Sequence, residues 1–214
     1  MSVFDQLGQH GIVPVIALDD AKDAIPLADA LIAGGLPVAE ITFRTDAARA
    51  TIAAIAKQRP DMLVGSGTVL TEAQVDQSFA AGARFALSPG IDVAVLAYAA
   101  KVGLPFAPGI MTPTDLQAAL RMGCKMVKFF PAMPAGGPNM LKNIAAPYAH
   151  TGIGFNPTGG VTMDNLGDWL ALPEVRAVGG TWIATKADIA AGNWDKITAN
   201  AKAAVARVAE LRAR

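Results

Sequence analysis

The sequence predicts an α/β protein, residues 1–214, folded as a single (β/α)₈ TIM barrel domain with a short N-terminal helix. Short apolar runs alternate with alanine-rich segments along the chain, and polar or glycine-rich residues recur where the apolar runs end. With 214 residues and 52% hydrophobic content, the chain can bury one large core but is short for two domains. We therefore expect one domain.

Eight apolar runs are the candidate strands. They lack clear alternation between apolar and polar residues, which is typical of strands covered on both faces of a parallel sheet. The runs comprise residues 13–17, 38–42, 63–67, 85–88, 105–108, 126–130, 153–157 and 177–180. Alanine-rich segments between them, such as 24–34, 47–57, 72–81 and 92–102, are good helix formers.

The residues at the ends of successive candidate strands are 19 to 30 positions apart, so that one strand and one helix fit each interval. These strand-end residues are Glu40, Thr68, Pro89, Gly109, Lys128, Thr158 and Gly180. A doubly wound open sheet is the competing architecture. Eight units favour the closed barrel, in which functional residues gather at the C-terminal ends of the strands.

The charge balance argues against a polyanionic partner. The chain has 18 basic and 18 acidic residues, so no net field draws it to nucleic acid or to an anionic membrane. The single cysteine, Cys124, cannot form an internal disulfide, and the N-terminus lacks the pattern of a secretory signal. We expect a cytoplasmic protein that acts on a small molecule.

Lys128 interrupts the apolar run MVKFFP at residues 126–131. One interpretation is a lysine whose stem is buried while its ammonium group reaches solvent. The other is an amine kept neutral by burial and by a neighbouring cation, for which Arg44 is the candidate, so that it can attack a ketone. The residues alone leave both interpretations open.

Glu40 and Arg44 flank the end of the second strand. They could simply pair with each other at a surface. Alternatively, Glu40 could transfer a proton at a substrate, while Arg44 clamps a substrate carboxylate through two hydrogen bonds. Thr68 could cap the next helix or help to hold the same carboxylate.

Two glycine-rich turns follow the last two candidate strands. They are Pro157-Thr158-Gly159-Gly160 and Gly179-Gly180-Thr181. Each could be no more than a tight turn, because glycine readily adopts positive φ. As a pair at those two strand ends, they favour a phosphate site built from backbone N–H groups.

Neither a metal nor another cofactor is expected. A metal-dependent enzyme would need a cluster of His, Asp or Glu ligands. His10 and His150 are the only histidines, and neither belongs to a ligand motif.

The sequence resembles the 2-keto-3-deoxy-6-phosphogluconate (KDPG)/4-hydroxy-2-oxoglutarate aldolase family over about residues 10 to 205. The segments that carry the resemblance are PVIAL, AGGLPVAEITFRT, VGSGTVLT, FALSPG, PGIMTPTDL, VKFFPA, FNPTGG and VGGTW. The resemblance implies a class I aldolase that reversibly cleaves KDPG to pyruvate and D-glyceraldehyde 3-phosphate, with 4-hydroxy-2-oxoglutarate as a further candidate substrate.

The resemblance also implies roles for individual residues. Lys128 would form the Schiff base and Glu40 would be the general acid and base. The substrate-binding residues would be Arg44 and Thr68 at the pyruvate carboxylate, Pro89 and Phe130 along the pocket, and Gly159, Gly160, Gly180 and Thr181 at the phosphate. A homotrimer, and a place in the Entner-Doudoroff pathway, are implied as well.

Some positions depart from the family pattern. Thr181 replaces a common Ser, Met133 stands where Glu often follows KFFPA, and Asn156 precedes PTGG where Cys is familiar. Thr158 resembles the gluconate-type members, whereas galactonate-type relatives are apolar there. The resemblance therefore favours KDPG over its C4 epimer, 2-keto-3-deoxy-6-phosphogalactonate.

The alternatives are an aldolase for that epimer, a related barrel lyase or isomerase in which Lys128 only pairs with an anion, and a non-catalytic barrel that binds phosphorylated sugars. The joint presence of Lys128, Glu40 and Arg44 argues against the non-catalytic alternative.

Overall fold

The computed structural model describes residues 1–213 and contains parallel strands interleaved with helices. The strands are β1 Ile12–Ile16, β2 Val38–Thr42, β3 Leu63–Gly67, β4 Ala86–Leu87, β5 Phe106–Ala107, β6 Gly109–Ile110, β7 Met126–Phe129, β8 Gly154–Pro157 and β9 Val178–Gly180. The α-helices are α1 Val3–His10, α2 Ala24–Ala33, α3 Ala48–Gln58, α4 Glu72–Ala80, α5 Val93–Val102, α6 Pro113–Arg121, α7 Gly137–Ala145, α8 Leu166–Leu170, α9 Lys186–Ala190 and α10 Trp194–Arg212. Short 3₁₀ helices span Ala21–Asp23 and Ala146–Thr151.

The prediction of a closed eight-stranded (β/α)₈ TIM barrel is wrong. Among residues 1–213 the strands form two separate parallel sheets. One has six strands in the order β5-β4-β3-β2-β1-β9, and the other has three strands in the order β6-β7-β8. No continuous strand ladder joins the two sheets within the described part of the chain, although isolated bridges pair Phe155 of β8 with Val175, and Thr158, just after β8, with Gly179 of β9.

Proline occurs at both places where the ladder is interrupted. The fifth candidate strand, 105–108, ends at Pro108, after which the chain pairs with a different neighbour: β5 pairs with β4, and β6 pairs with β7. Pro157, at the end of β8, stands at the second interruption. Because proline has no N–H to donate, neither residue can contribute a donor to a ladder.

The short helix expected before the first strand is α1. Ser2 and Asp5 form a reciprocal capping box at its start, and Gly11 ends it with a left-handed φ of 71°. Several later helices begin in the same way, with a side-chain oxygen that accepts a hydrogen bond from a backbone N–H of the first turn. These capping residues are Thr71, Asp92, Thr112 and Thr185.

Alternate residues of the strands project to opposite faces of the sheets. On β7, Phe129 packs against Trp169 of α8, with ring centroids 6.4 Å apart, and both side chains are fully buried. Lys128, the adjacent residue, projects from the other face of the strand and reaches Glu40 of the six-stranded sheet. The space between the two sheets that holds these two side chains is called the interior below.

Helices α2 and α10 are in close contact. Thr198 of α10 donates its hydroxyl hydrogen to the Ala30 carbonyl of α2 at 3.0 Å. At Gly34, just after α2, an added Cβ would lie 2.5 Å from the Ala201 Cβ and 2.8 Å from the Thr198 carbonyl oxygen. Among residues 1–213, no helix is long and apolar enough to cross a membrane.

We predict that Gly34→Ala lowers the free energy of unfolding by about 1–3 kcal/mol, because the added methyl group forces α2 and α10 apart. Urea denaturation would measure the change. Gly90→Ala is the matched control, since a Cβ at Gly90 meets no atom within 4 Å, and it should change stability by less than about 0.5 kcal/mol. Equal stability of the Gly34 variant and the control would contradict the predicted close packing.

Asp188 of α9 connects this helix to the start of α10. Its carboxylate accepts hydrogen bonds from Lys196 Nζ at 2.8 Å, Thr185 Oγ1 at 2.7 Å and Asn193 Nδ2 at 3.1 Å. These bonds, above all the one from Lys196, lower the pKa of Asp188 from 3.8 to about 2. The charged carboxylate is therefore stabilised by folding.

A carboxyl group whose pKa falls on folding contributes stability above its unfolded pKa, and the contribution is lost as the pH falls through the folded pKa. We therefore predict that Asp188 contributes stability above pH 4, and that this contribution disappears between pH 4 and pH 2. Urea midpoints across that range should fall less steeply in Asp188→Asn than in the wild type. Asp195→Asn, at an exposed position nearby, should retain the wild-type slope, and an equal slope in Asp188→Asn would refute the prediction.

Candidate active site

Lys128 and Glu40 meet between the two sheets. Lys128 lies on β7 and Glu40 on β2, and Lys128 Nζ donates a hydrogen bond to Glu40 Oε1 at 3.0 Å. Glu40 is 0% exposed and Lys128 5% exposed. The interpretation of Lys128 as a lysine that extends to solvent does not fit this geometry, and neither does a Glu40 paired with Arg44.

The pair has features of a reactive site as well as of a structural contact. Removing two charges from water costs several kcal/mol per ion, which the bond between them only partly offsets. Lys128 Nζ also lies 5.7 Å from the centroid of the Phe130 ring. Glu40 Oε2 is buried and has no hydrogen-bond partner among residues 1–213, so it can serve a bound ligand.

Glycines make room for the side chains in the interior. A Cβ on Gly67 of β3 would overlap the Glu40 carboxylate, and a Cβ on Gly109 of β6 would overlap the Pro89 backbone. Gly109 is paired in register with Lys128. The absence of side chains at these positions leaves Glu40 and Lys128 free to meet.

A hydrogen-bonded chain places Arg44 at the end of β2. Arg44 Nε donates to Thr42 Oγ1 at 3.0 Å, and the Thr42 hydroxyl donates to the Ile16 carbonyl at 2.8 Å. Thr42 is buried, whereas Arg44 is exposed. The guanidinium is therefore anchored through one nitrogen and can offer its others to an anion.

Thr68, Pro89 and Phe130 follow the ends of β3, β4 and β7, and each is half-buried. Thr68 has a φ of 55°, which is rare for a residue with a branched side chain and indicates local strain of about 1–3 kcal/mol. Pro89 and Phe130 both line a cavity of about 410 Å³ that also includes Gly109 and Met111. These three predicted site residues thus all lie at the C-terminal ends of strands.

The two glycine-rich turns lie side by side. Thr158 forms an isolated bridge with Gly179, and a Cβ on Gly179 would overlap the Thr158 hydroxyl. Gly159 and Gly160 have φ values of 100° and 77°, which side chains disfavour.

The first of these turns is tied to the loop after β7. Ala132 N donates to the Thr158 carbonyl at 2.8 Å, and Met133 N donates to the Gly159 carbonyl at 2.9 Å. In the second turn Gly180 is buried and Thr181 is exposed. The geometry therefore brings both turns to one end of the interior.

Thr42, Gly67 and Asn156 contribute to the site but were not among the predicted site residues. Glu40 and Thr42 are paired in register with Gly65 and Gly67, so the alternation of glycine in VGSGT could have indicated the space beside Glu40. Asn156 departs from the family pattern, and strand register pairs it with Lys128. Within residues 1–213, no group of three or more His, Cys, Asp or Glu residues could hold a metal ion.

The fold and site are those of an α/β enzyme with a buried lysine and glutamate between parallel strands. The chain belongs to the KDPG and KHG aldolase family, whose sequence model matches residues 3–200. A relative from Treponema pallidum, named 2-dehydro-3-deoxy-phosphogluconate aldolase, is 44% identical over 93% of this chain and 94% of its own length. The KHG/KDPG aldolase of Escherichia coli K12 is 42% identical over 91% of this chain and 90% of its own length.

A solved structure of similar fold is the KDPG aldolase of Legionella pneumophila, in which pyruvate was captured as a covalent carbinolamine intermediate. It is 39% identical and superposes with a TM-score of 0.90 over 95% of this chain and 98% of the other. The KDPG aldolase of Zymomonas mobilis with 3-phosphoglycerate is 38% identical, with a TM-score of 0.85 and 95% of each chain covered.

We predict that Lys128→Met lowers the free energy of unfolding by about 3–5 kcal/mol, because it leaves the Glu40 carboxylate buried without its partner. Adding Glu40→Gln removes that charge and should restore about 2 kcal/mol. Chemical denaturation of the two single variants and the double variant forms a complete cycle.

Lys125→Met provides the control, because Lys125 is exposed just before the same strand and should contribute less than about 0.5 kcal/mol. Strictly additive losses in the double variant would show that Lys128 and Glu40 do not stabilise each other.

Proposed function

We propose that this chain is a class I aldolase that reversibly cleaves KDPG to pyruvate and D-glyceraldehyde 3-phosphate. The observation that carries the proposal is the buried 3.0 Å bond between Lys128 and Glu40, because it places a nucleophile and a proton acceptor in direct contact. The captured carbinolamine in the Legionella relative supports covalent chemistry of this kind.

The first step uses the pair itself. Transfer of a proton from the Lys128 ammonium to Glu40 frees the amine, which attacks the C2 ketone of the substrate. Glu40 then gives this proton to the carbinolamine hydroxyl, which leaves as water, so that an iminium forms at Lys128 Nζ and Glu40 becomes a carboxylate once more. The positive iminium nitrogen then serves as the electron sink for the next step.

The second step breaks the carbon chain. Glu40, again as a carboxylate, accepts the proton of the C4 hydroxyl as the C3–C4 bond breaks. The electrons of the C3–C4 bond pass to the iminium, so that glyceraldehyde 3-phosphate leaves and the pyruvate enamine remains on Lys128. Protonation at C3 and hydrolysis release pyruvate and restore the lysine.

The remaining predicted residues hold the two ends of the substrate. Arg44, anchored by Thr42, and Thr68 bind the carboxylate, while Pro89 and Phe130 line the pocket. The phosphate binds at Gly159, Gly160, Gly180 and Thr181, where the two turns lie side by side, and Thr158 of the first turn is a further substrate-binding residue. Holding both ends of the substrate aligns the C3–C4 bond and lowers the entropic part of the barrier.

The other functions fit the site less well. A sensor of phosphorylated sugars, or a lyase or isomerase in which Lys128 only pairs with an anion, would not need Lys128 buried against a carboxylate. The polar Thr158 favours KDPG over its C4 epimer. 4-Hydroxy-2-oxoglutarate is a second candidate substrate, because its first four carbons carry the same keto and hydroxyl groups.

We further propose that residues 1–214 act as one catalytic domain, that the chain assembles as a homotrimer, and that it acts in the cytoplasm within the Entner-Doudoroff pathway. These proposals rest on the family to which the chain belongs. Light scattering on the eluting peak of a sizing column would test the assembly: a mass of three chains is expected, and a monomer would refute it.

We predict that borohydride added to the protein and pyruvate leaves a reduced pyruvyl adduct on Lys128, because reduction traps the iminium. Peptide mass spectrometry would locate the adduct. Lys128→Ala should abolish the adduct and lower kcat/KM for KDPG by at least about 10³-fold. Lys125→Ala should retain both properties.

No adduct on the folded, wild-type protein would refute the Schiff-base mechanism. An adduct on another lysine would assign the nucleophile elsewhere.

A further inference from the structure

The three carbonyl groups of residues 158–160, in the first glycine-rich turn, all accept hydrogen bonds. Those of Thr158 and Gly159 accept from backbone N–H groups of the loop after β7, at 2.8 and 2.9 Å. The Gly160 carbonyl accepts instead from the side chain of Asn165, whose Nδ2 lies 2.9 Å away. A single side-chain substitution can therefore release the Gly160 carbonyl, whereas the other two are held by backbone.

Asn165 directs its side chain back toward this turn. It immediately precedes α8, where an asparagine commonly caps the helix, yet its side chain makes no bond to the N–H groups of that helix. Its Oδ1 accepts from Thr162 N at 2.8 Å, while its Nδ2 donates to the Gly160 carbonyl. Both ends of the carboxamide thus brace the segment that follows β8.

The braced carbonyls also fix the directions of the N–H groups that follow them. The peptide bonds of this turn are trans, and a planar trans peptide points its carbonyl and its N–H in opposite directions. The bond to the Gly159 carbonyl therefore orients the Gly160 N–H, and the bond from Asn165 to the Gly160 carbonyl orients the Val161 N–H. Neither N–H finds an acceptor among residues 1–213. Successive N–H groups held in this way favour an anion.

We infer that Asn165 is a positioning residue for the phosphate of the substrate: by holding the Gly160 carbonyl, it keeps the Val161 N–H, and not a carbonyl oxygen, turned toward the phosphate. The inference rests on the proposed aldolase function, in which the phosphate binds at the two glycine-rich turns. Gly160 has a φ of 77° and no side chain, so the peptide group after it can rotate once the amide is removed. A rotated peptide would present a partially negative oxygen to the phosphate and repel it.

The bond acts on substrate binding and not on the reacting atoms. The phosphate is held in the same way before and during cleavage of the C3–C4 bond, so a weaker phosphate site should raise KM and leave kcat nearly unchanged. Formation of the Schiff base with pyruvate should not respond, because pyruvate carries no phosphate. A residue that only stabilised the fold would not produce this separation.

The test measures kcat and KM for KDPG in the wild type and in Asn165→Ala. The substitution should raise KM about five- to tenfold, as expected for one lost hydrogen bond, and change kcat by less than about twofold. Borohydride trapping of pyruvate should stay within about twofold of the wild-type yield.

Asn165→Asp is the second variant, because it separates the two bonds of the carboxamide. Its carboxylate can still accept from Thr162 N but cannot donate to the Gly160 carbonyl. It should raise KM at least as much as alanine does, since the carboxylate repels both that carbonyl and the phosphate. Thr162→Ala is the matched control: it removes the 3.4 Å bond from Asn165 N to Thr162 Oγ1 and leaves the Gly160 carbonyl held. Its KM should stay within about twofold of the wild-type value.

An unchanged KM in either Asn165 variant would overturn the inference. So would losses of kcat and of pyruvate trapping as large as the change in KM, or an equal rise of KM in Thr162→Ala. Each of these results would leave the aldolase of the wild type intact. A wild-type protein that neither traps pyruvate nor cleaves KDPG would instead overturn the proposed function, and the inference with it.

Discussion

The bond between Lys128 and Glu40 is the contact on which the rest of the site depends. It joins the three-stranded sheet to the six-stranded sheet across the buried interior. Neither charge would be stable there alone, because an isolated buried ion is far costlier than a paired one. The same proximity that makes the pair tolerable also permits direct proton transfer, so one arrangement serves folding and chemistry together.

Glycines in the neighbouring strands give Glu40 and Lys128 the space that their contact requires. Gly67 leaves the volume that the Glu40 carboxylate occupies, and Gly109 lets the backbone near Pro89 approach β6 next to Lys128. Around them, outward-facing residues such as Phe129 pack against the helices. The interior therefore holds the polar contact between Glu40 and Lys128, while Phe129 on the opposite face of β7 packs against a helix.

The positions of the strands and helices follow well from the sequence, but the closure of the sheet does not. The alanine-rich segments 47–57 and 72–81 match α3 and α4 to within one residue. The apolar run 105–108 gives no sign that β5 within it and β6 directly after Pro108 belong to different sheets, because no change in composition marks the switch. Strand pairing is a long-range property, and a proline that removes one donor changes the ladder without changing the hydrophobic pattern.

The sequence by itself determined the order of the elements, the family, and the residue types at each strand end, because periodicity and local motifs are encoded along the chain. Only the tertiary structure decided which of those residues meet. It paired Glu40 with Lys128, 88 positions away, and not with the nearby Arg44, which bonds to Thr42. It also placed Asn156 beside Lys128 through strand register. Contacts of this kind arise from packing in three dimensions, and linear spacing carries no direct record of them.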